Sequence, residues 1–440
     1  MEAAAPQFTG MLFDAAAALA EYVGAADGLI AALPAKPERN TAQQELAEDV
    51  HHACRSARRR FLGLHTDAVY NHLTACRTRR LRLPELVQAG ADQFPGLLPS
   101  RVQLDAESGQ PQAHKEGHEI DQGIFCGAVL RSPEAGGHLI DTMLMPTPRS
   151  LALLDAFRAT GTLELDSVLL ELRGQAAHIT FRNSHCLNAE DNVLIADMET
   201  AVDVALLDDR VRVGVLRGGT VDHPRYRDKR VFSAGINLKD LRNGAISFVG
   251  FLLGRELGYI HKLSRGLLTD PDAAAWSDRT VHKPWIGAVD TFAIGGGMQL
   301  LLVLDRVIAE SSAYFSLPAA EEGIVPGLGN LRLPRLAGAR LSRQVILGGR
   351  RIHATDPEAR FVCDEVVDAA ELDDAVDRAI AELAAPAVAA NRRMLALAEE
   401  PLDLYRQYLA EFSVVQVART YSEDVLAKVE RRWQASQARG

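Results

Sequence analysis

Two short glycine-containing segments hold residues on which chemistry could turn: Ala234-Gly235-Ile236-Asn237 and, about sixty residues later, Gly295-Gly296-Gly297-Met298-Gln299. Each follows a strand-like stretch, VFSAG over 231–235 and PWIGAV over 284–289. Glycine reaches backbone angles that other residues avoid and lets a ligand approach the main chain. The second segment runs into an apolar helix. Its first N–H groups lack intrahelical partners and lie at the positive end of the helix dipole. Such a turn suits negative charge on a ligand.

Other candidates are scattered around these turns. Arg255 stands in the apolar stretch SFVGFLLGRELGYI, which reads as one helix, where a charge is costly unless paired. Glu190 follows Leu187-Asn188-Ala189 at the start of a helical stretch, where the dipole favours a carboxylate. The loop before the first turn, GGTVDHPRYRDKRVFSAG, carries His223, Arg225, Arg227, Lys229 and Arg230 against Asp222 and Asp228. Such a run is either a solvated face or a site for phosphate, which arginine and lysine both suit. His114 and His118 stand four apart, but Gly117 lies between them and no HExxH glutamate is present, so a metal site is not indicated. Gly327–Gly329 lacks the GxGxxG spacing of a dinucleotide site, and the GxSxG elbow of serine thioesterases is missing.

The elements that must position these groups fall into three regions. Residues 9–80 read as helical, with a capping-box pattern at Asn40-Thr41 and Gln44 and apolar residues Leu46, Val50, Ala53 and Ala57 near helical spacing. Glycines and prolines between 104 and 149 predict an irregular connection. From about 170, strand candidates (177–181, 211–216, 231–235, 284–289, 306–310) alternate with helices over 190–207 and 297–304. This alternation predicts an α/β core of ββα or βαβ units. From about 375 the chain reads as helical again. The expected domains are therefore a mainly helical 1–170, an α/β core at 171–374 and a helical 375–440. At 440 residues the chain exceeds the usual size of one core.

Bulk properties narrow the class. The formal charge of −10 is opposite to the footprint of a nucleic-acid binder, so an anionic ligand must meet a local basic patch. No apolar run approaches the ~18 residues of a membrane span, and Met1-Glu2-Ala3 opens without a basic signal region. The five cysteines form no CxxC and signal neither a disulfide framework nor a zinc site. The expectation is an unprocessed, soluble, cytoplasmic enzyme with no nucleic-acid or membrane partner.

In order and spacing, five segments over roughly 175–435 resemble the enoyl-CoA hydratase/isomerase (crotonase) superfamily: HITFRNSHCLNAEDNVLIADMETAV, FSAGINLKDL, KPWIGAVDTFAIGGGMQL, YFSLPAAEEGIVPGLG and LGGRRIHATDPEARFVCDEVVD. The resemblance implies a spiral of ββα units carrying an N-terminal all-α extension. It also implies a C-terminal helical region that builds a homo-oligomer, a trimer or a dimer of trimers. It assigns the backbone N–H groups of Ile236 and Gly296 to an oxyanion hole for a thioester oxygen, with Ala234, Asn237 and Gly297 lining the substrate site. Losing one such donor costs roughly 3–4 kcal/mol of barrier. Coenzyme A becomes the anion for the basic loop, with His223, Arg225, Arg227, Lys229 and Arg230 toward its phosphates and Tyr226 toward adenine or pantetheine.

The departures from the family matter as much. Where hydratases of the superfamily carry two glutamates, this chain has Gln299 and Ala319, and neither can act as a base. Glu321 and Glu322 lie two and three residues beyond the second place, so hydration is disfavoured. These replacements, LNAED at 187–191 and the long N-terminal extension resemble the cofactor-independent arylacetyl-CoA dioxygenase branch of glycopeptide-type antibiotic pathways. That resemblance implies conversion of 3,5-dihydroxyphenylacetyl-CoA and O2 to 3,5-dihydroxyphenylglyoxylate and CoA, with no metal or flavin. Glu190, Arg255 and Gln299 would contact the ring hydroxyls, and Leu238 and Ile324 would belong to an apolar oxygen pocket. Another acyl-CoA isomerase, decarboxylase or thioester hydrolase, or a silent acyl-CoA-binding subunit, stays open at this point.

Overall fold

In the computed structural model, Asn40 caps the helix Thr41–Leu73: its side chain accepts from the Gln43 N–H at 2.9 Å, and the Gln43 side chain accepts from the Asn40 N–H at 3.0 Å. The capping box therefore closes through Gln43. Gln44 instead donates to Glu48, one helical turn on. The structure describes residues 6–8, 10–272, 274 and 279–437, apart from the side chains of 432, 433 and 435–437.

The chain forms two compact units, one comprising residues up to 142, 239–253 and 403 onward, the other 143–238 and 254–402. The first is helical, with Leu12–Ala31, Thr41–Leu73, Leu83–Gln93, Arg101–Glu107, His118–Arg131 and Glu423–Gln437 among its elements. The irregular connection expected over 104–149 is a correction: helices His118–Arg131 and Pro133–Leu144 occupy most of it, and a third begins at Pro148. Gly109 and Gly117 do stand between helices, at φ 77° and 92°, but Gly123 and Gly127 lie inside one and let helices touch. A Cβ at Gly123 would lie 2.7 Å from the Ser413 carbonyl, and one at Gly127 would lie 2.8 Å from that of Ala410. Gly123 and Gly127, four apart, share one helix face, against which the Leu402–Thr420 backbone packs. The unit boundaries likewise differ from those expected at 170 and 374.

Among the described residues the second unit holds twelve strands: β1 (Thr162–Glu164), β2 (Val168–Arg173), β3 (Ala176–Phe181), β4 (Val213–Gly218), β5 (Leu267–Leu268), β6 (Thr280–Val281), β7 (Trp285–Val289), β8 (Phe292–Ile294), β9 (Arg306–Glu310), β10 (Tyr314–Ser316), β11 (Ile352–His353) and β12 (Glu365–Val367). The main sheet runs β1-β2-β3-β4-β7-β9-β12, antiparallel at β1–β2 and β2–β3 and parallel from β3 onward. Val213, Val215, Ile286, Ala288 and Ile308 of its middle strands pack on Leu372, Ala375, Val376 and Ala379 of the helix Leu372–Leu383. These strands are apolar on both faces, as buried parallel strands require. A smaller sheet has the order β11-β10-β8, and β5 pairs with β6.

The ββα rhythm expected from the sequence is present as β2–β3–helix Asn192–Leu207 and β7–β8–helix Gly296–Leu301. One expected strand is not. VFSAG at 231–235 makes a single bridge, Ser233 with Ala293, before Gly235 turns the chain at φ 85°. Among the described residues no helix is long and apolar enough to cross a membrane.

Candidate active site

The two glycine turns meet. Ile294 N–H donates to the Ser233 carbonyl at 2.9 Å, and a Cβ on Gly235 would stand 3.4 Å from the Gly296 nitrogen. Gly235 and Gly295 both have positive φ, 85° and 54°. That conformation turns each chain sharply, and it is one that a residue with a side chain rarely adopts. Around Ile236, the neighbouring groups are tied down: Glu190 N–H donates to the Gly235 carbonyl at 2.7 Å, and Asn237 N–H donates to that of Glu190 at 2.9 Å. Among the described residues, neither the Ile236 N–H nor the Gly296 N–H has a hydrogen-bond partner. Gly296 opens the helix Gly296–Leu301, so its free donor sits at the positive end of that helix.

The strand-to-helix turn before Glu190 is unusually constrained. Leu187 and Asn188 both adopt the left-handed region, at φ 59° and 52°. Fully buried Asn188 holds this turn by donating to the carbonyls of Gly219 at 3.1 Å and Val231 at 2.7 Å. Ala234 N–H donates to the Leu187 carbonyl at 3.2 Å, which ties the same turn to the first glycine segment. Glu190 is thereby delivered beside Gly296: a Cβ on Gly296 would collide with Oε2 of Glu190 and lie 3.0 Å from Nη2 of Arg255.

Arg255 organises what lies behind the turns. It is 3% exposed, and burial opposes its charge, but Glu190, Tyr259 and Glu256 outweigh that and hold its pKa above the ordinary guanidinium value. Nε and Nη2 each donate to Oε1 of Glu190 at 3.0 Å, Nη1 donates to Glu256 at 2.7 Å and Gln299 at 2.9 Å, and Nη2 also donates to the Gly296 carbonyl at 2.9 Å. These contacts occupy all five N–H groups of a guanidinium. Glu190, Arg255 and Gln299, expected together from the sequence, stand in one cluster. Arg255, however, faces protein acceptors throughout and keeps no N–H for a ligand. Glu190 and Gln299 do keep valences: Oε2 of Glu190 and Nε2 of Gln299 have no hydrogen-bond partner among the described residues.

Two members of the cluster escaped the sequence reading. Tyr259 donates to Oε1 of Glu190 at 2.9 Å; burial and Glu190 push its pKa well up. Burial likewise lifts the Glu256 carboxyl above its ordinary range, against the pull of Arg255 and Arg332. A signal for both was available, because Arg255, Glu256 and Tyr259 are neighbours at i, i+1 and i+4 in GRELGY. The stretch expected as one apolar helix is in fact broken. A π-helical turn at Phe248–Leu253 leads into Gly254–Leu257, and Gly258 (ψ −116°) separates that from Tyr259–Arg265. Gly327 belongs to the site too, since a Cβ there would collide with Oε1 of Glu256 and lie 2.5 Å from Oε1 of Gln299.

The remaining candidates take the following places. Ala319 is buried at the start of the short helix Ala319–Glu322, while Glu321 is exposed and lies against Gly349. Gly297 packs on Ser233, whose Cβ would be 2.8 Å from an added one. Leu238 and Ile324 are half-buried, the first opening the short helix Leu238–Arg242, the second closing the turn after Glu322 through an N–H to the Ala319 carbonyl. His223, Arg225, Arg227 and Lys229 are exposed, with Arg230 and Tyr226 half-buried. Tyr226 packs edge-on against Phe292 at 5.3 Å and beneath the Arg225 guanidinium at 5.5 Å. Among the described residues no group of three or more His, Cys, Asp or Glu side chains is disposed to hold a metal ion.

The family model for enoyl-CoA hydratase/isomerase matches residues 171–416. The chain is 53% identical over 412 residues to the (3,5-dihydroxyphenyl)acetyl-CoA 1,2-dioxygenase of Amycolatopsis orientalis, a match covering 94% of each chain. It is 28% identical over 212 residues to the short-chain-enoyl-CoA hydratase of Clostridium acetobutylicum, which covers 48% of this chain and 72% of that one. The crystal structure of an enoyl-CoA hydratase/isomerase from Xanthobacter autotrophicus Py2 shares the fold, with a TM-score of 0.51 at 24% identity over 61% of this chain and 94% of that chain.

Proposed function

The chain belongs to the enoyl-CoA hydratase/isomerase family, and from that premise we propose that it oxygenates 3,5-dihydroxyphenylacetyl-CoA with O2, giving 3,5-dihydroxyphenylglyoxylate and free CoA. The observation that carries this reading is the site itself: two unpartnered N–H groups at Ile236 and Gly296, backed by a buried polar cluster, with Gln299 and Ala319 where a hydratase needs acids. The match to the dioxygenase of Amycolatopsis orientalis spans nearly the whole chain and so includes the N-terminal helices, whereas the match to the hydratase covers only half.

The N–H groups of Ile236 and Gly296 receive the thioester oxygen. When the α-proton leaves, charge passes onto that oxygen and into the aromatic ring, and preorganised donors in a buried site stabilise it. Oε2 of Glu190, an acceptor, and Nε2 of Gln299, a donor, meet the two ring hydroxyls; each hydroxyl can both give and take a hydrogen bond. Arg255 orients both groups from behind. The electron-rich enolate gives one electron to O2, the two radicals combine at the α-carbon, and the peroxide attacks the thioester carbonyl. CoA thiolate leaves, and loss of the remaining α-hydrogen with cleavage of the O–O bond gives the α-keto acid. Both oxygen atoms enter the product and the substrate supplies all the electrons, so neither metal nor flavin takes part. Leu238 and Ile324 contribute apolar surface to the oxygen pocket, and the loop 223–230 binds the CoA phosphates. The active form is a cytoplasmic homo-oligomer, and the product suits the supply of an arylglycine for antibiotic biosynthesis.

Oxygen uptake and CoA release, measured together on metal-stripped and flavin-free protein, test this reading. One O2 consumed per CoA released is expected. CoA release without oxygen uptake would instead assign a thioester hydrolase.

A further inference from the structure

The segment that joins the first glycine turn to Arg255 is built into the helical unit. The chain leaves the second unit after Leu238, two residues past Ile236, and returns to it at Gly254, one residue before Arg255. In between, residues 239–253 are fastened to the helical unit by three contacts. Lys115 donates to the Gly244 carbonyl at 2.6 Å, and the Phe248 N–H donates to Glu119 at 2.8 Å. Gly244, at φ 71°, lies so close to the Gln110 carbonyl that a Cβ there would collide with it. Against the start of this segment the helical unit keeps a cavity of about 360 Å³. Leu241, Val425, Leu426 and Val429 give it apolar walls, and Arg242 and Glu430 line it as an ion pair at 2.6 Å. Gln112 also lines it and is 2% exposed. Its Nε2 donates to the Thr420 carbonyl at 3.3 Å, while its Oε1 is buried with no hydrogen-bond partner among the described residues. A volume of roughly 300–1,000 Å³, apolar walls and a few fixed polar groups are the marks of a small-molecule pocket.

We propose that this cavity binds a small neutral phenol, its ring among the four aliphatic side chains and its O–H donating to Oε1 of Gln112, and that the bound ring steadies residues 239–253. A buried acceptor calls for a donor, and a phenol supplies one on a rigid ring that loses little rotational freedom on binding. An ionised ligand would have to displace one member of the Arg242–Glu430 pair, whereas a neutral one leaves that pair intact. An apolar cavity of about 150 Å³ holds a benzene ring, so one of about 360 Å³ has room for a phenol with an alkyl arm. Leu241 and Arg242 are the segment's share of the wall, and they belong to the short helix Leu238–Arg242 that follows the Ile236 turn. Occupancy is therefore felt first at the end of the segment that leads to the oxyanion donor.

Calorimetric titration of the full chain with 4-ethylphenol tests the site, and amide hydrogen exchange tests its reach; neither needs turnover, so neither depends on the reaction proposed above. One molecule should bind per chain. Gln112→Met, which keeps the length of the side chain and removes the acceptor, should weaken binding about fivefold, the loss expected for one neutral hydrogen bond. Ala113→Trp fills the cavity from an exposed lining position and should abolish binding. Glu190→Gln, in the other unit, should leave it unchanged. Bound 4-ethylphenol should slow amide exchange along 239–253 in the unaltered chain and not in Ala113→Trp. Full affinity in Gln112→Met or Ala113→Trp, or loss of binding in Glu190→Gln, would put the phenol elsewhere and overturn the site. Exchange along 239–253 that is the same with and without bound phenol would overturn the claim that binding steadies this segment.

Discussion

Replacing Arg255 with methionine isolates what the buried cation does. The change removes five donors whose contacts run from 2.7 to 3.0 Å and leaves Glu190 and Glu256 buried without their cation. Breaking one side of a buried ion pair costs about 3–5 kcal/mol, a large part of the roughly 5–15 kcal/mol that holds a domain folded. At roughly 2–4 °C per kcal/mol for a unit of this size, the melting transition should fall by about 6–20 °C. Activity should fall about a hundredfold, because Glu190 and Gln299 lose their orientation by something near an ångström. The informative comparison is with Glu190→Gln/Arg255→Met, which no longer strands the Glu190 charge. By scanning calorimetry the double variant should be more stable than the sum of the single losses by at least about 1 kcal/mol. Additivity within about 0.5 kcal/mol would refute the claim that Arg255 acts by neutralising and placing these carboxylates.

Other changes probe neighbouring parts. Gly296→Ala drives a methyl group into Oε2 of Glu190, so kcat should drop by about 10²–10³ with the fold retained; a wild-type kcat would contradict the assigned hole. Tyr259→Phe removes the 2.9 Å donor to Glu190 and should destabilise by about 1–3 kcal/mol, read from denaturant midpoints. Gln299→Glu should depress oxygen uptake without creating hydratase activity, since Ala319 still leaves the second acid missing; hydration of an enoyl-CoA by this variant would show that the second acid is unnecessary. Burial, with arginines nearby, lowers His282 to about 3 and His178 to about 4. The unfolded chain then binds more protons between about pH 6.5 and 4, so stability should fall as pH drops through that window. His282→Asn should make the fall shallower, and an unchanged slope of melting temperature against pH would count against this cause.

Much of the site was legible because its chemistry is written in local turns. Glycines before a helix and a charge within an apolar stretch both point to the cluster at Gly296 and Arg255. What stayed hidden depends on partners far along the chain. Gly123 and Gly127 look like helix breakers until the backbone of Leu402–Thr420 is laid against them. VFSAG has strand composition, but it finds a single rung at Ser233 before Gly235 turns it away. Glu256 and Tyr259 stand beside Arg255 in the sequence, yet nothing there announces the bend at Gly258, past which the Tyr259 ring lies 5.9 Å from the Arg255 guanidinium. No spacing in sequence announces that Phe292, Tyr314 and His353 stand side by side, because register across β8, β10 and β11 makes them neighbours.

In the proposed reaction the N–H groups of Ile236 and Gly296 stabilise a carbanion formed at the carbon beside the thioester. The most direct measurement is exchange of that carbon's hydrogen with deuterated solvent, followed by NMR on an arylacetyl-CoA under strict exclusion of oxygen. Enzyme-dependent exchange that disappears in Gly296→Ala is expected. Oxygen turnover by the same protein with no anaerobic exchange at the α-carbon would contradict the account.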